Sequence, residues 1–171
     1  DDESARGRLL GAATHLFCKY GINATGIDAI INEAGTAKTT LYKLFGSKTN
    51  LVNAVLESEG KAWREWFIGA MEDGGGDAQA KLKRIFPALK RWFAEERFYG
   101  CPFINAVAEH DKDAKAFRNI ALRHKKVVLA HIEKLAGDMG AAEPQMLAHQ
   151  LGLLIDGAIV VSPRRDPHSH V

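Results

Sequence analysis

Between Gly35 and Asn50 the chain places Lys38, Lys43 and Lys48 with no acid among them, whereas the preceding 34 residues hold five acids and three bases. Thr36, Thr39, Thr40 and Tyr42 lie between these lysines. Ammonium groups and small hydroxyls at this density are donors that phosphate oxygens accept, and the same groups reach base edges in a DNA major groove. Lys38 can meet a phosphate or a guanine edge. Thr39 and Thr40 can contact phosphates or thymine methyls, Tyr42 can donate its hydroxyl to a phosphate, and Lys43 faces outward beside it. Lys48, at the start of a following helix, would combine its cation with free backbone N–H groups, a combination suited to clamping a phosphate, and Thr25 can do the same at an earlier helix.

Other residue sets point to weaker chemistry. His124 and His131 are seven residues apart on one helical stripe, and His110 can join them from the preceding turn. Such a trio can hold a metal or supply polar anchors in an apolar pocket. No Cys or carboxylate stands at ligand spacing with them, so core or interface histidines come first, an organic ligand second and a metal last. Ser58 to Lys61 fits a Ser-x-x-Lys pattern, but the Ser-Asp-Asn and Lys-Thr-Gly elements that complete that site are absent. Without a strand there is no phosphate loop either, and "DGGGD" reads as a connection. Neither an enzyme nor a bound cofactor is expected. Cys18 and Cys101 match no metal or disulfide framework and read as free thiols in a reducing compartment. No run of 18 uncharged apolar residues occurs, and "DDESARGR" has no signal-peptide pattern, so the expectation is a soluble cytoplasmic protein without a membrane partner.

The elements that must position these residues follow a helical period throughout, and the fold class is all-α. Leu9, Ala13, Leu16, Phe17 and Tyr20 mark a first helix that stops at Gly21. Residues 27–34 make a short second helix with Thr25 as its expected cap and Gly35 after it, and a third spans 38–45. A fourth starts near Ser47 or Lys48 and runs to "EDGGGD", followed by one amphipathic helix through Leu82, Ile85, Phe86, Leu89, Trp92 and Phe93. Short and long helices follow over 103–109 and from about Asp113 to Leu135. The last, from about Pro144 to Val161, is apolar on all sides apart from Asp156, so one side must pack on its own domain and the other on a second subunit. Leu147, Leu151, Leu154, Ile155, Ala158 and Ile159 are the expected dimer contacts. A buried Asp156 requires a partner at a helix end or at that interface.

Two short helices joined by a turn opening on Gly35 can present the second to the major groove. Thr25, Ile27, Ile30, Ala34, Gly35, Lys38, Thr40, Leu41, Tyr42, Phe45, Lys48 and Leu51 together resemble the DNA-binding signature of the tetracycline-repressor (TetR) family, over about 45 residues from Leu9 onward. The resemblance implies a homodimeric bacterial transcriptional regulator with two parts. An N-terminal three-helix helix-turn-helix domain, residues 1–48, binds double-stranded DNA at a palindromic operator. A C-terminal helical domain, residues 49–171, binds a small effector and forms the dimer. Ala37 stands where the family often has Ser and Thr39 where it often has Gly, so the operator sequence does not carry over. The resemblance also implies a final helix beside 147–161, cut short here at "SPRRDPHSHV".

For the effector, Trp63, Trp66, Phe67, Phe86, Trp92, Phe93, Phe103 and Phe117 can line an apolar cavity, although aromatic stripes at helical spacing are more often core. Trp66, Phe67, Phe86, Phe103, Phe117 and His124 are the candidate contacts, and the effector is expected to be largely apolar. The competing reading is a helical small-ligand-binding protein without specific operator binding.

Overall fold

The computed structural model describes residues 4–95, 98–109 and 115–162. Nine helices occur among them, with no strand: α1 (Ala5–Tyr20), α2 (Ile27–Ala34), α3 (Lys38–Phe45), α4 (Lys48–Glu72), α5 (Ala78–Lys83), α6 (Ile85–Phe93), α7 (Pro102–Glu109), α8 (Lys115–Asp138) and α9 (Pro144–Val161). They divide into two compact units, Asp1–Lys61 with Cys101–Leu122, and Ala62–Gly100 with Arg123–Val171. The expected boundary at residue 48 marks the start of α4, whereas the first unit extends into that helix and also takes in α7.

In the first unit, the Ser4 hydroxyl caps α1 by accepting the Gly7 N–H at 3.1 Å. Leu9, Ala13, Leu16 and Phe17 turn inward and are buried, as are Ile30 and Ala34 of α2, Leu41 and Phe45 of α3, and Leu51, Val52, Val55 and Leu56 of α4. Tyr20, expected on that stripe, is exposed instead, at the turn where α1 ends. Gly21 takes φ +92° and ψ 158° there, a backbone state open essentially to glycine, and donates its N–H to the Phe17 carbonyl. Thr25 does not cap α2. Gly26 occupies the cap position without a side-chain bond, and the buried Thr25 hydroxyl sits on carbonyls of the α1 end, 2.7 Å from Gly21 and 3.3 Å from Leu16.

The second unit is built on Phe67 and Met71 of α4, Leu82 of α5, Ile85, Ala88 and Leu89 of α6, Val128, Ile132, Leu135 and Ala136 of α8, and Ala148, Ile155 and Ile159 of α9. The single helix expected over 82–93 is two helices. Pro87 lacks an N–H, and within a continuous helix its ring would strike the carbonyl of residue 83. The break falls at Arg84 and leaves Pro87 in the first turn of α6, where no N–H bond is lost. The Arg84 guanidinium then donates to the carbonyls of Met71 at 2.9 Å, in the last turn of α4, and Gly75 at 2.6 Å, in the loop that follows. Phe86, expected on the apolar stripe of that helix as an effector contact, is 48% exposed, because the restart at Ile85 gives the inward positions to Ile85, Ala88 and Leu89.

In α9, Gly152 faces α8, where a Cβ would lie 2.7 Å from the Leu129 Cδ2. Asp156 pairs with Lys125 of α8 within the same chain. Ile155 and Ile159, expected at a dimer interface, are core residues of their own unit, and the outward stripe is Met146, Leu153, Leu154, Val160 and Val161, with Leu153 73% and Val161 78% exposed. By length and hydropathy alone α9 passes for a membrane-crossing helix. The expected helix start at Asp113, His110 and the final segment after Ser162 lie outside the described residues.

Replacing Gly21 by Ala forces a side chain into that backbone state and brings a Cβ 3.1 Å from both Glu109 carboxylate oxygens. The expected cost is about 1–3 kcal/mol of stability in chemical denaturation. A Gly21→Ala protein as stable as the parent would contradict this.

Candidate functional site

The turn between α2 and α3 is set by Gly35 in the left-handed region, φ +59° and ψ 43°. Its N–H bonds the Asn32 carbonyl at 3.3 Å and the Thr36 N–H bonds that of Ile31 at 3.0 Å, closing α2 so that α3 can start two residues later. Ala37 occupies the N-cap of α3 without a side-chain bond. Leu41 and Phe45 are buried, and Lys38, Thr39, Tyr42 and Lys43 fall along one exposed strip of α3, with Tyr42 44% exposed and Thr40 half-buried. At the other end Gly46 and the Asn50 amide, which donates to the Phe45 carbonyl at 2.9 Å, close the helix.

Neighbouring contacts hold this strip in place. The Arg8 Nε donates to the Ala34 carbonyl at 3.1 Å, the Arg6 guanidinium lies 5.6 Å from the Phe45 ring centroid, and His15 Nδ1 is 2.7 Å from a Glu33 oxygen. Lys38 Nζ rests 3.0 Å from Asp28 Oδ1 in the first turn of α2, and the bond to that carboxylate raises the lysine above its ordinary value. The pair is solvent-exposed, so exchanging Asp28 for a phosphate costs little.

Three expected contacts are placed differently. Thr25 is buried with its hydroxyl on two carbonyls, clamping the end of α1. The Thr36 hydroxyl oxygen is buried and makes no hydrogen bond among the described residues. Lys48 donates from Nζ to the Ile22 carbonyl at 2.6 Å, and burial lowers it below the usual lysine value while Glu109 pulls it back up. Glu109, which the sequence reading did not single out, accepts the Asn23 N–H at 2.8 Å through its carboxylate and the Asn23 side-chain amide at 2.7 Å through its backbone carbonyl. These contacts join residues 86 apart in sequence, and no local pattern announces them.

The effector candidates divide between the units. Phe103 and Phe117 belong to the core of the first, and Phe86 is on the surface of the second. Trp66, Phe67 and His124 do meet in the second unit, within an aromatic cluster. Trp63 stacks on Phe67 at 4.6 Å and 17° and lies 6.4 Å from Trp66, 5.5 Å from Trp92 and 5.4 Å from His124. Arg64 Nη1 is 3.1 Å from His124 Nδ1, and a guanidinium can only donate, so this nitrogen accepts and the ring proton sits on Nε2. Trp63 Nε1 is buried without a hydrogen-bond partner among the described residues. His131 lies instead 3.3 Å from Glu72, at an angle that makes no hydrogen bond, so the two histidines have separate surroundings.

Two short helices at a glycine turn, held by a third and exposing lysines, threonine and tyrosine on one strip, define a helix-turn-helix DNA-binding protein. The family model for bacterial regulatory proteins of the tetR family matches residues 9–55. A TetR-family transcriptional regulator from Streptomyces coelicolor superimposes with a TM-score of 0.85 at 31% identity, over 95% of this chain and 86% of that one. An uncharacterised helix-turn-helix regulator from Lactococcus lactis is 26% identical over 89% of this chain and 72% of its own length. The activator FasR of Mycolicibacterium smegmatis is 44% identical over 55 residues, 32% of this chain and 25% of that protein. The chain belongs to the TetR family and is a DNA-binding transcriptional regulator.

Lys38→Ala should weaken operator binding and reduce the magnitude of its log–log salt slope by about 0.9. Unchanged affinity and slope would remove Lys38 from the interface. Thr25→Val should leave two carbonyls without their donor and cost about 1–3 kcal/mol in chemical denaturation, with the salt slope of the folded protein unchanged; a reduced slope would make Thr25 a phosphate ligand after all.

Proposed function

We propose that this regulator is a homodimeric repressor that binds a palindromic operator through its two α3 helices and is released by a small, largely apolar effector. The exposed strip Lys38, Thr39, Tyr42 and Lys43, with Thr40 at its edge, carries the reading. Phosphate contacts from lysine and tyrosine fix the register, and the threonines reach base edges. Residues 1–48 read the DNA, and residues 49–171 take the effector and the second subunit.

The dimer face differs from the one expected. Met146, Leu153 and Val160 recur every seven residues along the outer side of α9, flanked by Leu154 and Val161, and this continuous apolar stripe suits a second copy of the same helix. The effector is assigned to the aromatic cluster around Trp66, Phe67 and His124. The flat rings would hold it, while Arg64 and the Trp63 N–H give polar anchors. Binding there releases DNA only to the extent that the effector prefers the arrangement that does not bind the operator. The protein is cytoplasmic in this reading and has no catalytic role.

Fluorescence anisotropy with the upstream intergenic duplex and a scrambled duplex, across a salt series, tests the proposal. The expected result is selectivity of about 10³-fold or more with a log–log slope near −0.9 per phosphate neutralised. Equal affinity for both duplexes would contradict specific operator binding and favour a ligand-binding protein without it. The double substitution Leu153→Lys with Val160→Lys should halve the mass in sedimentation equilibrium while leaving the helical circular dichroism intact. An unchanged dimer would place the interface elsewhere.

A further inference from the structure

Residues 78–94 carry Lys81, Lys83, Arg84, Lys90 and Arg91 and no acid. Two of these cations are occupied inside the second unit. Lys81 pairs with Glu72 at 2.5 Å, and Arg84 holds the carbonyls at the end of α4. Lys90 and Arg91, in the last turn of α6, are exposed, and no hydrogen bond or ion pair joins their side chains to a described residue. Both border an open groove of about 570 Å³ whose other walls are Ala70, Asp73, Arg84, Pro87, Ala88 and Ala94.

The groove exists because its apolar walls are small. Three alanines and a proline leave a concavity where larger side chains would have closed the surface. Its volume falls within the range of small-molecule sites, roughly 300–1,000 Å³. Three cations against one carboxylate, Asp73, make the rim electropositive. An apolar floor under a cationic rim favours one ligand chemistry. A hydrocarbon chain or ring gains by leaving water over the alanines and proline. An anionic head then gains charge-assisted bonds from Lys90 and the planar fork of Arg91. A cation of the same size would meet the same rim unfavourably.

We propose that the α4–α6 groove binds a small anionic amphiphile, an apolar chain or ring ending in a single carboxylate, sulfate or phosphate. The groove is separate from the aromatic cluster, and it bears on the operator only through the effector reading above. Titration calorimetry of the full chain with decanoate, decanol and decyltrimethylammonium, each below its micellar concentration, tests it directly. One saturable decanoate site per chain is expected, with the other two probes about tenfold weaker or more. Lys90→Ala with Arg91→Ala should remove that preference, and Ala70→Phe, which fills the floor, should abolish binding with the thermal melt unchanged. Equal binding of all three probes, no saturable decanoate binding, or decanoate binding undiminished in both variants would overturn the site. Decanoate that binds without displacing the operator in the anisotropy assay would uphold the groove as a site apart from the effector response. Loss of selective operator binding would count against the regulator and not against the groove.

Discussion

Burial of Leu41 and Phe45 on the three-helix core is the contact on which the rest of the reading depends. α3 is only eight residues long, too short to persist alone in water, so its helicity and its orientation come from packing. Once those two side chains are buried, as Leu9, Ile30 and Leu51 also are, the remaining positions of α3 have little choice of direction. The residues that meet DNA are outward because their neighbours are inward. Gly35 and Gly46, at the two ends of the helix, provide the left-handed and positive-φ states that let it be so short and so abruptly turned.

Charge is arranged around this scaffold with the same economy. Three acids in the first unit have partners within it: Glu33 with His15, Asp28 with Lys38 and Glu109 with the Asn23 backbone N–H. The strip itself holds no acid. A net charge of +2 would not mark a nucleic-acid partner, and the local arrangement does. In the second unit the cations do different work. Arg84 ends a helix, Lys125 neutralises Asp156, and Lys90 with Arg91 remain at the surface.

Much of the fold was legible because short helices with glycine stops obey local rules. α2, α3 and α9 lie where period, turn residues and apolar run place them. The misreadings came from long-range or stereochemical effects. Pro87 broke a helix that the hydrophobic period alone made continuous, and the restart turned Phe86 outward. Thr25 resembled a cap from its position, but carbonyls at the end of α1 took its hydroxyl. The resting place of the Lys48 ammonium was not legible either, because the Ile22 carbonyl and Glu109, distant in sequence, determine it. An apolar helix such as α9 does not reveal from sequence which side faces its own unit. Gly152 against Leu129 and Asp156 against Lys125 decide that, which moved Ile155 and Ile159 into the core.

The central claim is that the outward strip of α3 is the surface that meets DNA. Backbone amide chemical shifts of the isotopically labelled protein, recorded while the operator-containing duplex is added, test it most directly. The largest changes should fall on Lys38, Thr39, Thr40, Tyr42 and Lys43, with the amides of α9 left in place. Largest changes outside α3, with the α3 amides unmoved at saturation, would contradict the account.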